Sequence, residues 1–157
     1  MPLQAKSEAF GPGERIPEKY TADGQDISPP LSWGKIPEDA RELALIVEDP
    51  DAPRPEPFVH WLVYKISRDA SGLPEGVARG ATLQSPPGAV QGKNSFGKIG
   101  YGGPAPPSGH GTHHYHFRLY ALDEPLEVQP GLDKKALLDA MSRHVIDETD
   151  LVGVYQR

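Results

Sequence analysis

The sequence predicts a mostly β fold, in which ordered loops connect short strands. The first observation behind this prediction is a series of short apolar runs that are rich in valine, isoleucine and aromatic residues. The second is that 18 prolines and 17 glycines punctuate these runs instead of forming a low-complexity tract. The third is that a single segment near the C-terminus has the periodicity of an amphipathic helix. This pattern is typical of all-β or β-dominated domains.

The composition fits a single domain, residues 1–157, of ordinary size. No cysteine is present, which excludes disulfide bonds, cysteine nucleophiles and thiolate metal sites. The formal net charge of −6 argues against nucleic-acid binding, which normally needs a basic surface. The first residues lack the apolar segment of a secretory signal, and no run reaches the ~18 apolar residues of a membrane span. We therefore expect a soluble cytoplasmic protein without integral membrane association.

Two strands are predicted in the middle of the chain. "ELALIVED" (Glu42–Asp49) is a short apolar run that an Asp-Pro step closes, which indicates a strand buried on both faces. "FVHWLVYKI" (Phe58–Ile66) is rich in β-branched and aromatic residues and is the clearest strand of the chain. The segment "DPDAPRPEP" between them contains four prolines, so we expect an extended loop that carries Asp49 and Asp51.

The second half of the chain begins with a long loop, "GKIGYGGPAPPSGHGTH" (Gly97–His113), and loops of this length in compact domains are usually functional or disordered. It leads into a strand, "HHYHFRLYALD". "LDKKALLDAMSRHVIDE" predicts the helix, with Asp133 as its N-cap and an apolar stripe of Leu138, Met141 and Val145. "LVGVYQ" is predicted to be a final short strand.

Strand periodicity sorts the histidines, because alternate residues of a strand share a face. In the strand that begins at His113, the more apolar face carries His113, Tyr115, Phe117, Leu119 and Ala121. We expect this face to turn inward, so that His113 and Tyr115 lie where the long loop arrives and His114 and His116 point outward. In the earlier strand, simple alternation places His60 with Phe58, Leu62, Tyr64 and Ile66, and opposite Trp61.

A buried His60, an inward His113 and the two loop aspartates together predict a small polar pocket in an apolar wall, which is the usual form of a ligand site. Simpler interpretations stay open at this point. His60 could be a core histidine with one hydrogen bond, and Asp49 and Asp51 could only shape an Asp-Pro turn.

Metal and hydrolase sites are the two other possibilities that the histidines raise. His114 and His116 form an HxH pair on one strand, which binds a metal ion when a third ligand is available. No acidic residue follows in Phe117–Leu122, so we predict neither a metal site nor a cofactor. In a hydrolase, Asp49 or Asp51 would orient His60 or His113 as a general base. The chain has no G-x-S-x-G motif and no serine in a recognisable nucleophile context.

Several motifs occur in a specific order: "ISPPLSW", then "DPDAP" with "FVHW", then "GYGGPAPPSGHGTHHYHF", and finally "LVGVY". This order resembles the phosphatidylethanolamine-binding protein family, and in particular its bacterial and archaeal Raf kinase inhibitor-like members. The resemblance extends from about Ile27 to Tyr155. It implies a β-sandwich with a large antiparallel sheet and a few short helices, with an anion-accepting pocket near one end of the sheet.

The resemblance also implies seven ligand-binding residues: Asp49, Asp51, His60, Ala105, Pro106, His113 and Tyr115. The aspartates match the D-P-D-x-P loop, and the first histidine matches the pocket histidine of the next strand. The second histidine and the tyrosine match a G-x-H-R-Y type motif, and the alanine and proline match backbone positions of the second loop. His114 stands where many relatives have arginine, so a tie from this position to the aspartate loop would be shorter and pH-dependent.

We therefore expect a protein that binds a small anionic ligand, such as phosphate or a phosphorylated head group. Its expected role is that of a regulator or inhibitor of a protein target, a kinase or a serine protease, and not that of an enzyme. His60 and His113 would donate hydrogen bonds to the anion, and Asp49 would support the charged form of one imidazole. A small hydrolase that uses a His/Asp pair in the same pocket is the alternative. The resemblance further implies a cis peptide bond at Glu56–Pro57.

Overall fold

The computed structural model describes residues 2–157, which form two antiparallel sheets that enclose a common core. The strands are β1 (Gln4–Lys6), β2 (Leu31–Gly34), β3 (Glu42–Asp49), β4 (Phe58–Ser67), β5 (Gly72–Leu73), β6 (Val90–Gln91), β7 (His113–Leu122) and β8 (Val145–Tyr155). The large sheet has the order β6-β4-β3-β7-β8, and the small sheet has the order β1-β2-β5. The described residues also include α1 (Lys134–Met141) and a 3₁₀ turn (Glu18–Tyr20). The predicted fold class, a mostly β sandwich with a large antiparallel sheet, is confirmed.

Strand β3 lies at the centre of the large sheet and buries apolar side chains on both faces, as predicted. One face contributes Leu43 and Leu45 to the core between the two sheets. The other face contributes Ala44 and Ile46 to a second core that lies under α1. The register of β3 is set by its antiparallel pairing with β4 and β7. The register in turn fixes Asp49 at the end of the strand.

Strand β4 departs from simple alternation because a β-bulge lies at His60. Trp61 pairs with Val47 and Val59 pairs with Glu48, so His60 is an additional residue without a partner of its own on β3. A bulge sets two residues of one strand against one of its partner and redirects their side chains. His60 contacts Tyr115 and Trp61 lies in the core between the sheets, so both face the same side. The prediction that His60 and Trp61 lie on opposite faces is therefore wrong.

Strand β7 follows the predicted alternation. Its inward face, every second residue from His113 to Ala121, is buried throughout. On the outward face, His114 is exposed and His116 is only partly buried. The predicted orientation of both faces is confirmed. His113 and Tyr115 are thereby placed beside the end of β3.

The helix begins as predicted but ends earlier. The Asp133 side chain caps α1 and accepts a hydrogen bond from the backbone N–H of Ala136 at 2.9 Å. The helix ends at Met141, and Arg143 adopts a left-handed φ of 73° that turns the chain into β8. β8 then starts at Val145, so the predicted helical segment "HVIDE" lies largely in the strand. The β-branched Val145 and Ile146 suit an extended backbone paired with β7.

The buried face of α1 also differs from the predicted stripe. Leu137 and Met141 are fully buried in the core under the helix, whereas Leu138 and Val145 are exposed. Leu137 and Met141 are four residues apart and thus share one face of a helix. The stripe was assigned wrongly because Val145, which was counted as helical, belongs to the following strand.

The expected cis bond at Glu56–Pro57 is also wrong. Within residues 2–157, the cis peptide bond is Ser85–Pro86. A trans bond is favoured by about 0.5–1 kcal/mol even before proline, so a cis bond normally needs a tight turn to impose it. Pro57 lies outside any turn and leads directly into β4.

Two adjacent leucines test the assigned face of α1. We expect Leu137→Ala to lower the free energy of unfolding by about 2–5 kcal/mol, because it leaves a cavity in the core. Leu138→Ala, in the same helix and with the same chemical change, should lower it by about 0.5 kcal/mol or less, because Leu138 is 39% exposed. Urea unfolding of both variants gives the two values, and equal losses would contradict the assigned face.

Candidate functional site

A pocket lies at one end of the large sheet, where β3 ends and β4 and β7 begin. These three strands are antiparallel neighbours, so the end of β3 and the starts of β4 and β7 lie side by side at the same end of the sheet. The pocket has a volume of about 290 Å³. Its lining residues are Asp49, Ala52, Pro53, Arg54, Phe58, His60, Phe96, Ala105, Pro106, Pro107, His113 and Tyr115.

Six of the seven predicted site residues line this pocket, and Asp51 does not. Asp51 lies outside, where its carboxylate accepts hydrogen bonds from the backbone N–H and from Nδ1 of His114, both at 2.8 Å. Partial burial alone would raise the pKa of Asp51, but the hydrogen bonds from His114 outweigh it and lower the pKa. Asp51 therefore connects the proline-rich loop to β7. His114 forms the contact with the aspartate loop that the family resemblance implied for this position.

Asp49 and His113 form a buried pair inside the pocket. The distance from His113 Nδ1 to Asp49 Oδ2 is 2.5 Å, and both side chains are almost fully buried. The sequence left open which imidazole Asp49 holds, and the structure assigns it to His113. A carboxylate that accepts from Nδ1 fixes the tautomer and the orientation of a neutral ring, so Nε2 is then the acceptor.

His110 contacts the other nitrogen of His113 and was missed by the sequence analysis. His110 Nδ1 lies 2.6 Å from His113 Nε2, which extends the hydrogen bonding from Asp49 through His113 to the loop surface. His110 sits between Gly109 and Gly111, which have left-handed φ values of 75° and 97°. A histidine between two glycines marks a turn that can direct its ring back to the strand, and this was the available signal.

His60 points into the pocket as a neutral ring. Its Nδ1 donates to the carbonyl oxygen of Gly102 at 2.6 Å, which leaves Nε2 as an acceptor. Burial lowers the pKa of His60 below its ordinary value of 6.5, although the Gly102 carbonyl acts in the opposite direction. At neutral pH the ring therefore does not supply the hydrogen-bond donor to the anion that the sequence analysis expected from it.

Tyr115 presents its hydroxyl to the pocket. Its ring packs edge-on against His60 at 5.2 Å and stacks with His113 at 6.4 Å between ring centroids. Burial and the nearby Asp49 carboxylate raise the pKa of Tyr115, so it stays a hydroxyl at all physiological pH values. No residue within the described range 2–157 hydrogen-bonds to this hydroxyl, which leaves it free to donate to a ligand.

Two phenylalanines form an aromatic wall that the sequence analysis did not assign to the site. Phe58 contacts Phe96 at 4.8 Å and His60 at 4.9 Å between ring centroids. Phe96 is 45% exposed at the tip of a tight turn, where Asn94 Oδ1 accepts from the backbone N–H groups of Phe96 and Lys98. An Asn followed three residues later by Gly predicts such a turn, but not its position beside His60.

Arg54 lies at the mouth of the pocket on the proline-rich loop. Its guanidinium stacks over the ring of Phe58 at 5.5 Å from the centroid, and its side chain is exposed. Among residues 2–157, Arg54 forms no ion pair. It is the one lining residue that carries a permanent positive charge.

Two classes of site receive no support within the part of the chain that the structure describes. No group of three or more histidine, aspartate or glutamate side chains there is arranged to hold a metal ion. No helix there is long and apolar enough to cross a membrane.

Comparisons with known proteins find similar sequences and similar folds. A family model described as "Phosphatidylethanolamine-binding protein" matches residues 6–156. The chain is 48% identical over 155 residues to a UPF0098 protein of Methanothermobacter thermautotrophicus, and the match covers 99% of each chain. The structure of E. coli YbcL, described as a new member of the mammalian PEBP family, gives a TM-score of 0.92 at 31% identity and covers 100% of this chain and 99% of that one. The structure of a PEBP homolog from Chlamydia trachomatis gives 0.88 at 43% identity, with 99% and 98% covered.

The neutral state of His60 makes stability depend on pH. A histidine whose pKa is lowered by folding takes up its proton more readily in the unfolded chain, so acid favours unfolding. The contribution is fully present above about pH 6.5, the unfolded pKa, and is lost as the pH falls towards the lower pKa of the folded state. We expect the free energy of unfolding to fall less between pH 7.5 and pH 5 in His60→Gln than in the unsubstituted protein.

Denaturant unfolding at both pH values gives the comparison. His144→Gln is the control, because His144 is partly exposed and lies beside Asp123, away from the pocket. It should leave the acid-dependent loss close to that of the unsubstituted protein. An unchanged pH dependence in His60→Gln would show that His60 is not held neutral by burial.

Proposed function

The chain belongs to the phosphatidylethanolamine-binding protein family, and from this premise we propose that its pocket binds a small anion such as phosphate or a phosphorylated head group. The observation that carries the proposal is the Tyr115 hydroxyl, because Tyr115 lines the pocket and no residue of the described range forms a hydrogen bond with its hydroxyl. A few polar groups placed in a mostly apolar pocket normally orient its ligand, so a donor without a protein partner there is available to a ligand that accepts from it.

The size and lining of the pocket suit a small ligand. About 290 Å³ is at the lower limit of ligand pockets, which fits a phosphate with a few attached atoms. In the run Pro104–Pro107, Ala105 provides the one backbone N–H, because proline has none. Ala105 lines the pocket, and this N–H is the second neutral donor that we assign to the anion. Pro106 and Pro107 give the same wall a rigid shape.

Binding without turnover is the function that we assign to the site. A general base needs a free nitrogen that faces the substrate, and in the hydrolase alternative an aspartate orients that ring. His113 is paired with Asp49, but its Nε2 is in contact with His110. His60 has a free Nε2, but its Nδ1 donates to the Gly102 carbonyl and not to an aspartate. The lining residues include no serine, threonine or lysine that could act as a nucleophile. In our proposal, Asp49 and His113 therefore shape and hold the pocket, and His60 contributes an acceptor.

The second part of the proposal is a regulatory role, in which the protein inhibits a kinase or a serine protease. Phe96 supports it, because a half-exposed aromatic ring held in a rigid turn is the kind of residue that anchors protein interfaces. The ring borders the pocket, so a bound anion and a bound protein target would contact the same edge.

The expected ligand affinity is weak, and the donor role of Tyr115 can be measured. We expect methyl phosphate and phosphoethanolamine to bind with a Kd on the order of millimolar, since ligands of a few atoms gain only a few kcal/mol. Tyr115→Phe should weaken binding about tenfold, because it removes one hydrogen bond to a charged group. NMR titration of the backbone amides gives both the affinity and the location of binding.

Tyr120→Phe is the matched control, since Tyr120 lies on the other face of β7 and outside the pocket. It should bind like the unsubstituted protein. An equal loss in both variants would contradict the assigned donor. Inorganic phosphate released from either ester by catalytic amounts of pure protein would favour the hydrolase alternative.

A further inference from the structure

We propose that Arg54 recognises the negative charge of the ligand, by turning from the ring of Phe58 into the pocket. This inference rests on the proposed function and adds a residue to that site. The negative charge of the protein and of its pocket opposes the binding of an anion. The protein has a formal net charge of −6, and the lining already contains the Asp49 carboxylate, so long-range attraction does not draw an anion in.

The histidines of the pocket do not resolve this conflict. His60 donates its Nδ1 proton to the Gly102 carbonyl and presents an acceptor at Nε2. His113 has both nitrogens engaged, one by Asp49 and the other by His110. The free donors that remain are neutral groups, the Tyr115 hydroxyl and a backbone N–H. A permanent cation has to come from elsewhere in the lining, and Arg54 is that cation.

The guanidinium of Arg54 is available for this role. No carboxylate within residues 2–157 pairs with it, and its contact with Phe58 is an exposed stacking interaction. Such contacts are weak when water reaches the cation. A phosphate or sulfonate group offers two coplanar oxygens to the guanidinium fork, and this bidentate pairing is among the strongest hydrogen-bonding arrangements in proteins.

The backbone at Arg54 is fixed while its side chain is free. Arg54 lies between Pro53 and Pro55, and its N–H donates to the carbonyl oxygen of Ala52 at 2.7 Å. The residue before a proline is restricted to extended conformations. The same loop is fastened to β7 through Asp51. The side chain therefore extends from a fixed backbone position at the mouth. Ligand binding restricts only the rotamers of this side chain and does not have to order the backbone.

Arg54 also borders a second cavity, of about 530 Å³, on the other side of the mouth. Lys93, Lys134 and Lys135 line that cavity. Glu56, Asp133 and Asp139 line the same cavity, and Lys134 and Lys135 pair with acidic side chains, so this cavity adds little net positive charge around the guanidinium. The ligand class that fits Arg54 is thus an organic anion whose phosphate or sulfonate group reaches the mouth of the first pocket.

The test uses a charged probe and a neutral probe of the same shape. Methanesulfonate is an anion at all working pH values, and dimethyl sulfone is its uncharged counterpart. We expect Arg54→Gln to weaken methanesulfonate binding about tenfold, because one charge-assisted bidentate contact is lost. Binding of dimethyl sulfone should stay unchanged. Arg54→Lys keeps the charge but lacks the fork, so it should lie between the two.

Arg41→Gln is the matched control. It removes the same charge, but Arg41 precedes β3 and lies roughly 25 Å from the pocket at the opposite end of that strand. It should bind methanesulfonate like the unsubstituted protein. Equal losses in Arg54→Gln and Arg41→Gln would show that only net charge matters and would overturn the inference.

The failure of this inference and the failure of the proposed function give different results. If the unsubstituted protein binds the anions and Arg54→Gln binds them equally well, Arg54 has no recognition role and the proposed function stands. If the unsubstituted protein binds neither methanesulfonate nor methyl phosphate, the proposed function fails. Addition of salt gives an independent readout, because it should weaken binding to the unsubstituted protein much more than binding to Arg54→Gln.

Discussion

The hydrogen bond between the Asp49 carboxylate and the His113 imidazole joins the end of β3 to the start of β7, and the pocket depends on it. Both groups are buried, and a buried carboxylate without a partner is strongly unfavourable. Removal of one member of such a pair typically costs about 3–5 kcal/mol, because the other is left uncompensated. The pair therefore holds two neighbouring strand ends at a fixed separation, and the loops that enclose the pocket start from those ends.

A second pair repeats this arrangement on the outside of β7. Asp51 lies two residues after Asp49, and His114 lies one residue after His113, so successive residues of the strand reach opposite faces. The inner pair is buried and the outer pair is exposed to solvent. The proline-rich loop therefore forms hydrogen bonds with β7 on both faces of the strand. The inner contact supplies most of the stabilisation, since exposed pairs contribute little, while the outer one sets the direction of the loop that carries Arg54.

The sequence predicted the parts of the fold that follow from a regular period. The inward face of β7 was predicted correctly because its side chains alternate without interruption, and β3 was predicted correctly from its continuous apolar run. The bulge at His60 was not predictable, because it depends on how β4 pairs with β3 and not on the residues of β4 alone. The start of β8 was missed for a similar reason. Val145 continues a helical apolar period, and only pairing with β7 shows that it is extended.

The site was predicted where its residues belong to motifs and missed where they are neighbours in space only. Asp49, His60 and His113 were found through their motifs and through strand periodicity, and they meet as expected. Phe96 comes from a turn that is distant from them in the sequence, so nothing local connects it to the pocket. His110 is close in sequence, but its contact with His113 depends on the backbone of two glycines.

The position of β8 has a consequence for how copies of this protein meet one another. β8 is an edge strand of the large sheet, and an exposed edge offers free backbone groups to a second chain. Near its C-terminal end the edge is occupied, because Gly13 and Ile16 donate to the carbonyl oxygens of Val152 and Val154. The other half carries Asp147, Glu148 and Asp150. Asp147 accepts from the backbone N–H of Leu3, and Asp150 pairs with His116 and Arg118, so these charges are partly compensated within the chain. Charged side chains along an edge strand oppose its pairing with a second sheet, so we expect this half of β8 to resist edge-to-edge contact between copies.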